Sequence, residues 1–216
     1  MQIHHAAAPV TGANRGLGLV FARALLDRGA KAVYGAARDP SAVTDPGVVP
    51  VALDVTDPAQ VTVAAARCAG VDLLINNAAA MSASPLIGMD AGDGARSEME
   101  VNYFGTPAMC RAFAPVLARN GGAQVNMLSV VSWFTDPASG SYSASQAAAW
   151  APTNGVRVEL RGQGTLVVGV HAGLIDTDMA AHVEAPRAAP STSPRRRSTR
   201  WTPGRRKCSR TPPPGA

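Results

Sequence analysis

Three glycines near the start of the chain form the first candidate binding site. They lie in the segment Thr11-Gly12-Ala13-Asn14-Arg15-Gly16-Leu17-Gly18. The segment follows a short apolar run and precedes a stretch with helical periodicity, which indicates a turn between a strand and a helix. Glycines let such a turn bend sharply and let its backbone approach a ligand without Cβ clashes. The helix start beyond it offers unpaired N–H groups and a partial positive charge. This combination predicts a binding site for a diphosphate.

A serine and a tyrosine form a second candidate site. Ser129 follows the fifth predicted strand, and Tyr142 begins the next predicted helix, thirteen residues later. The interval joins the end of a strand to the start of a helix, so we expect the two hydroxyls to converge over the cleft at the carboxyl edge of the sheet. A serine or a tyrosine near a helix start is common by itself, and only their pairing makes a candidate site.

The elements that must position these residues alternate regularly between strand and helix. Apolar runs predict six strands, at residues 8–11, 32–36, 48–53, 71–75, 124–128 and 166–171. Helical periodicity and capping signals predict helices at residues 17–28, 58–68, 97–117 and 142–160. The alternation predicts a three-layer α/β fold of the Rossmann type, in which a doubly wound parallel sheet lies between helices joined by right-handed crossovers.

The composition fits one domain with an aliphatic core. Of the 216 residues, 46% are hydrophobic and only 5% are aromatic, so alanine, valine, leucine and isoleucine must fill the core. No apolar run is long enough for a membrane span, and the first residues lack the pattern of a secretory signal. Cys68, Cys110 and Cys208 are far apart and without CxxC spacing. We therefore expect no disulfide framework, no metal site and a reducing, cytoplasmic location.

Charge is distributed unevenly along the chain. Residues 185–216 contain eight arginines, one lysine, seven prolines and no acidic residue, whereas residues 1–184 carry a net charge of −4. Residues 1–184 form the predicted folded domain, and their mildly acidic balance argues against a nucleic-acid-binding face. Residues 185–216 have too few apolar side chains to offset the entropy of ordering, so this Arg/Pro-rich tail is predicted to be disordered.

The order of these features resembles the short-chain dehydrogenase/reductase family, and the likeness extends from residue 11 to residue 179. The glycine segment resembles the family's cofactor turn, and Ser129 with Tyr142 matches its serine and tyrosine. The other matching motifs are Asp54-Val55 after the third strand, Asn76-Asn77-Ala78-Ala79 after the fourth, Asn102 in the long helix, and Gly173 and Thr177 after the sixth.

The resemblance implies an oxidoreductase that interconverts a small carbonyl compound and an alcohol by hydride transfer to or from a nicotinamide. In that chemistry Tyr142 is the acid and base, Ser129 positions the substrate oxygen, and Asn102 holds a water for proton relay. Ser132 is the alternative to Ser129. The resemblance also implies a homodimer or homotetramer, and we expect neither a membrane nor a nucleic acid as a partner.

The positions that match the family's cofactor contacts are spread over most of the predicted domain. They are Gly12, Asn14, Arg15, Gly16, Leu17, Gly18, Arg38, Asp54, Val55, Asn77, Ala78, Ala79, Tyr142, Gln146, Gly173 and Thr177.

The charges after the second predicted strand indicate which nicotinamide cofactor is preferred. Sites for NAD(H) usually have a carboxylate there for the ribose 2′-hydroxyl, whereas this strand is followed by Arg38. The resemblance puts Arg15 on the same side, and two guanidinium groups favour a 2′-phosphate. We therefore predict NADP(H) over NAD(H), although a register shift of one residue would present the carboxylate of Asp39.

Position 146 departs from the family pattern. The family has a lysine four residues after the tyrosine, where it hydrogen-bonds the nicotinamide ribose and lowers the pKa of the tyrosine, and this chain has Gln146. An ammonium about 5 Å from the phenol, at an effective dielectric of about 20, is worth roughly 3 kcal/mol, or about two pK units at most. We therefore expect retained cofactor binding and impaired turnover. The alternative is a dinucleotide-binding relative without enzymatic activity.

The last part of the chain departs from the family as well. Family members continue beyond the position of Thr177 with a substrate-covering segment, a helix and a seventh strand, where this chain has the tail of residues 185–216. We expect the usual C-terminal strand to be lacking, an exposed sheet edge, and a tail produced by a shifted reading frame or a truncation. A basic arm for nucleic acid or an anionic membrane is the alternative.

Overall fold

Six parallel strands form one sheet in the computed structural model, which describes residues 2–82, 84–87, 91–181 and 186–190. The strands are β1 (Ala7–Thr11), β2 (Ala32–Ala37), β3 (Val48–Ala52), β4 (Leu73–Asn76), β5 (Ala123–Ser129) and β6 (Leu166–Ala172). Their order across the sheet is β3-β2-β1-β4-β5-β6, and each pairing is parallel. The predicted doubly wound α/β fold is confirmed. The strand order reverses between β1 and β4, so the switch-point cleft lies at their carboxyl ends.

Helices cover the sheet, and they begin and end close to the predicted residues. They are α1 (Gly16–Leu26), α2 (Pro58–Arg67), α3 (Ala91–Glu98), α4 (Thr106–Asn120) and α5 (Gly140–Glu159). The side chain of Asp57 accepts hydrogen bonds from the first turn of α2, as its capping pattern predicts. The helix predicted at residues 97–117 is part of a longer one, in which a π-helical segment, Met99–Gly105, joins α3 to α4. None of the helices in the described ranges is long and apolar enough to cross a membrane.

The core lies on both faces of the sheet. Successive strand residues point to opposite faces, so Leu74 joins a cluster with Phe113 of α4, while Leu73 and Ile75 join a second cluster with Ala22 of α1. Both clusters are largely aliphatic, as the composition predicts. They fix α1 and α4 over the strands whose carboxyl ends form the cleft.

The sheet ends at β6 in the part of the chain that the structure describes. Its outer edge is partly covered, because Arg157 of α5 donates from Nε to the carbonyl of Val167 at 3.0 Å. Residues 186–190, from the predicted tail, pair with the segment after β6, where Ala188 forms a parallel bridge with Ile175. Arg187 is 3.2 Å from the Asp176 carboxylate. The rest of the predicted tail lies outside the described residues.

Candidate active site

The glycine segment forms a tight turn between β1 and α1. Gly12 and Gly16 have φ values of 66° and 55°, in the left-handed region that favours glycine. A Cβ atom on Gly18 would lie 2.1 Å from the carbonyl oxygen of Gly12, so only glycine fits there. The backbone is therefore close to the cleft, and the start of α1 faces it. This is a cradle that a diphosphate fits.

Thr11 joins this turn to the end of β4. Its Oγ1 accepts the backbone N–H groups of Asn77 and Ala78, both at 2.8 Å. The Nδ2 of Asn77 donates to the Thr11 carbonyl at 2.9 Å. The Asn77 amide, a predicted cofactor contact, thus also holds the two loops together. Thr11 was not among the predicted site residues, although its place directly before the first glycine is a signal for this role.

An exposed arginine follows β2 directly. The strand ends at Ala37, and the exposed Arg38 follows directly. Asp39 begins a short helical turn, in which its Oδ1 accepts the backbone N–H and the hydroxyl of Ser41 at 2.9 and 2.6 Å. These hydrogen bonds lower the pKa of Asp39. The carboxylate therefore has a local partner, and the register leaves Arg38 nearest to the strand end.

Arg15 lies at the start of α1 and forms an ion pair with Asp178, which follows β6. Its guanidinium is 3.3 Å from the carboxylate of Asp178, and both side chains are largely exposed. Thr177, the residue before, lies beside Gly16, where an added Cβ would be 3.6 Å from the Thr177 methyl group. The segment after Gly173 thus returns to the glycine turn and closes one side of the cleft. Asp178 was not predicted as a partner.

The Asp54-Val55 pair shapes the turn after β3. Asp54 Oδ1 accepts the backbone N–H and the hydroxyl of Thr56 at 2.9 and 2.7 Å, and its own N–H donates to Gln60. Val55 is buried and packs against Gly105, where a Cβ would lie 2.8 Å from a Val55 methyl carbon. The two residues border the cleft from the side of the π-helical segment.

The predicted hydroxyl pair meets at the carboxyl end of β5. The Ser129 hydroxyl lies close enough to the phenol of Tyr142 to lower its pKa by hydrogen bonding, whereas Ser132 is 2.8 Å from Nδ1 of His171. The structure therefore brings Ser129, and not the alternative Ser132, to the tyrosine. Burial raises the pKa of Tyr142 to about 12, the bond from Ser129 opposes this shift, and the charge of Glu98 adds to it. The phenol is protonated at neutral pH.

Gln146 is buried and lies one helical turn beyond Tyr142 on α5. Its Oε1 accepts the backbone N–H of Ser129 at 3.0 Å. The glutamine therefore orients the end of β5 that carries the serine. As a neutral amide, it offers the phenol no positive charge.

Asn102 lies in the π-helical segment and is 3% exposed. Its side chain accepts the backbone N–H of Ala80 at 2.9 Å and donates to the Ala80 carbonyl at 2.8 Å. It also donates to the hydroxyl of Ser145 on α5 at 2.9 Å. The side chain thus joins three elements around Tyr142, and its predicted role in holding a water stays a prediction. Ser145 was missed, because nothing local marks it among the serines of α5.

An aromatic surface adjoins the site. Trp133 stacks on His171 with ring centroids 4.3 Å apart, and Trp133 and Phe134 are each 58% exposed. They line a cavity of about 190 Å³ together with Leu86 and Ala147. Two adjacent aromatic residues, four and five positions after Ser129 in a chain poor in aromatics, are a signal that the sequence analysis did not use.

Solved structures resemble this fold closely. A short chain dehydrogenase from Burkholderia cenocepacia in complex with NADP superimposes with a TM-score of 0.86 at 46% identity, covering 88% of this chain and 81% of that one. A short-chain dehydrogenase from Streptomyces avermitilis has a TM-score of 0.73 at 29% identity, covering 80% of this chain and 67% of that one.

Sequence comparisons agree. A short chain dehydrogenase of Monascus purpureus is 34% identical over 200 residues, which are 83% of this chain and 68% of the relative. Galactitol 2-dehydrogenase of Agrobacterium fabrum is 30% identical over 196 residues, 86% of this chain and 76% of that protein. The family profile described as short chain dehydrogenase matches residues 6–188. With its parallel sheet, glycine turn and serine–tyrosine pair, this chain belongs to the short-chain dehydrogenase family.

Proposed function

We propose that this protein is an NADP(H)-dependent oxidoreductase that interconverts a carbonyl compound and an alcohol, with turnover limited by Gln146. The observation that carries the proposal is the proximity of the Ser129 and Tyr142 hydroxyls at the carboxyl edge of the sheet. The pair lies on the same edge as a glycine turn whose backbone a diphosphate can approach. A nucleotide site and a proton-transfer pair thus share one cleft.

The preference for NADP(H) is supported by the charges after β2. Arg38 is exposed at the strand end, and the carboxylate of Asp39 is held by Ser41. A guanidinium favours a 2′-phosphate, whereas a carboxylate would favour the 2′-hydroxyl of NAD(H). The Burkholderia cenocepacia relative was crystallised with NADP, which supports the same preference.

The chemistry divides between the cofactor and the side chains. The bound nicotinamide supplies or accepts the hydride. Ser129 donates a hydrogen bond to the substrate oxygen, and the Tyr142 phenol gives its proton to that oxygen as a carbonyl is reduced. Because burial keeps the phenol protonated, proton donation is available at neutral pH. Alcohol oxidation needs the phenolate, which forms only in alkaline solution.

Gln146 limits turnover in this proposal because it cannot stabilise the phenolate. Its hydrogen bond to the Ser129 N–H preserves the geometry of the pair, so cofactor and substrate binding remain. A second candidate function is dinucleotide binding without turnover. It is favoured by the same observation, because the neutral amide of Gln146 cannot stabilise the phenolate.

The proposal also covers the domain organisation, the substrate class, the oligomeric state and the location of the enzyme. We propose that residues 1–184 form the NADP(H)-binding domain and that residues 185–216 are a tail, of which residues 186–190 pair with the segment after β6. The substrate is a small molecule, as the names of the relatives indicate for those proteins. We propose a homo-oligomer in the cytoplasm.

The test combines binding with turnover. The full chain is titrated with NADPH and with NADH, and consumption of NADPH is then followed with a panel of small ketones, aldehydes and sugars. We expect tighter binding of NADPH and slow turnover of at least one carbonyl. Binding without turnover in both the wild type and Gln146→Lys would favour the non-enzymatic candidate. No affinity for either nucleotide would contradict both.

A further inference from the structure

A buried carboxylate without a stated role lies beside the serine–tyrosine pair. Glu98 is the last residue of α3 and is 0% exposed. Its Oε1 accepts the backbone N–H of Ser82 at 2.6 Å, while its Oε2 has no hydrogen-bond partner among the described residues. Burying a carboxylate is costly unless its oxygens are bonded, so packing alone does not account for a glutamate here.

Glu98 and Asn102 act together on the segment after β4. The two side chains are four residues apart, so they lie on one face of the continuous helix. They accept the backbone N–H groups of Ser82 and Ala80. Two side chains of the helix thus hold residues 80–82 by their backbone N–H groups.

The same segment reaches the start of α5. The carbonyl of Ser84 accepts the backbone N–H of Ser141 at 3.3 Å and its hydroxyl at 3.2 Å. Ser141 directly precedes Tyr142. Glu98 is thus connected to the tyrosine through Ser82 and Ser84, and its charge acts on the phenol directly as well.

The phenol has few other charged neighbours on the elements packed against α5. Cys110 on α4 is buried, and burial raises the pKa of its thiol to about 11, so it is neutral at pH 7. His171 on β6 bonds Ser132, Asp136 before α5 bonds Ser139, and Asp93, Arg96 and Glu100 are exposed. Position 146 carries a neutral amide. Among the described residues, Glu98 is therefore the charged side chain that is buried.

We propose that Glu98 is a positioning residue for Tyr142, which holds residues 80–82 against the site and brings a buried negative charge to it. The proposal rests on the proposed function, in which Tyr142 exchanges a proton with the substrate. A negative charge at the site disfavours the phenolate that alcohol oxidation needs, and it also makes the phenol a weaker acid in carbonyl reduction. In reduction the phenol proton moves to the substrate oxygen, and solvent returns a proton to the phenolate.

The test measures ionisation of Tyr142 without cofactor or substrate, so absence of turnover does not affect it. The chain has three tyrosines, and the ultraviolet titration of the full chain minus that of Tyr142→Phe isolates Tyr142. A stopped-flow pH jump records the signal before alkaline unfolding. In Glu98→Gln, which keeps an acceptor for Ser82 and removes the charge, we expect the ionisation constant of Tyr142 to rise at least threefold.

Glu100→Gln is the matched control, because it removes an exposed carboxylate two residues away on the other side of the same helix and is expected to leave the titration unchanged. A folded Glu98→Gln with an unchanged Tyr142 titration would overturn the proposal. The wild type alone provides a second test if the variant does not fold. Tyr142 must titrate above 10, and a midpoint at or below that value would overturn the proposal as well.

Discussion

Two side chains determine the charge around the Tyr142 phenol. Gln146 is a neutral amide, and Glu98 is a buried carboxylate. The charge of Glu98 adds to the effect of burial, which raises the pKa of the phenol to about 12, and Gln146 supplies no positive charge to oppose it. In the proposed reaction, electrostatics therefore limits proton transfer.

Gln146→Lys is expected to raise kcat of the proposed reaction at pH 7 by up to about 100-fold, because an ammonium near the phenol lowers its pKa by about two units. It is also expected to cost about 1 kcal/mol of unfolding free energy, because lysine cannot accept the N–H of Ser129. Steady-state kinetics and urea unfolding measure the two effects. Gln146→Met, without charge or acceptor, is the control, and equal kcat values in all three proteins would disprove the explanation.

The raised pKa of Tyr142 predicts a pH dependence of stability. Below pH 10 the phenol is protonated in the folded and the unfolded chain, so its contribution is constant. Between pH 10 and about 12 the unfolded chain loses the proton first, and the folded state is destabilised. The wild type should lose roughly 2–3 kcal/mol more than Tyr142→Phe over this range in urea unfolding. Parallel curves for the two proteins would contradict the prediction.

At the scale of elements, the cleft depends on close backbone contact between the glycine turn and the end of β4. Gly12 and Gly18 lie close to each other, and both lie close to the side chain of Asn77. Thr11 hydrogen-bonds both the backbone and the side chain of Asn77. α4 and β5 meet over a buried polar layer, in which Cys110 Sγ lies 3.3 Å from Nε2 of Gln124. The contacts in the turn leave no room for a larger side chain at Gly18.

Gly18→Ala tests the close contact in the turn. The new Cβ would lie 2.1 Å from the Gly12 carbonyl oxygen and 2.7 Å from Nδ2 of Asn77. We expect a loss of about 1–3 kcal/mol of unfolding free energy and loss of NADPH binding, because overpacking displaces the turn. Gly70→Ala is the control, since no atom lies within 4 Å of its added Cβ. Unfolding curves and nucleotide titrations that do not distinguish the two variants would contradict this reading of the turn.

At the scale of the whole molecule, the cleft is assembled from segments far apart in the chain. The glycine turn, the ends of β4 and β5 and the segment after β6 meet there, and Arg15 with Asp178 links the first to the last. An exposed ion pair of this kind contributes little to stability. A nucleotide that contacts all of these segments should therefore stabilise the fold as a unit.

NADPH at one hundred times its Kd is expected to raise the unfolding free energy by about 2.7 kcal/mol. For a chain of this size the melting temperature should rise by roughly 5–10 °C. NADH at the same concentration should give a smaller shift, and Arg38→Ala should reduce the difference between the nucleotides by weakening the contact with the 2′-phosphate. Thermal melts measure all four combinations, and equal shifts with both nucleotides in the wild type would argue against the role of Arg38.

Local patterns were sufficient to predict the sheet and the turn. The second strand was predicted at residues 32–36 and is Ala32–Ala37, and the first helix was predicted at residues 17–28 and is Gly16–Leu26. Alternation of apolar and polar residues, caps and glycines act over a few neighbouring residues, so they can be read directly. The order of motifs likewise identified the family before any geometry was known.

The partners of the site residues, in contrast, depended on packing. Glu98 with Ser82, Gln146 with Ser129 and Arg15 with Asp178 join residues that are 16, 17 and 163 positions apart. Their contacts follow from how helices and loops lie over the sheet, which no local pattern encodes. The sequence by itself determined the fold and the family, and it predicted Ser129 and Tyr142 as the reacting hydroxyls. Only the tertiary structure decided which charges surround them, because burial and proximity arise when distant segments pack together.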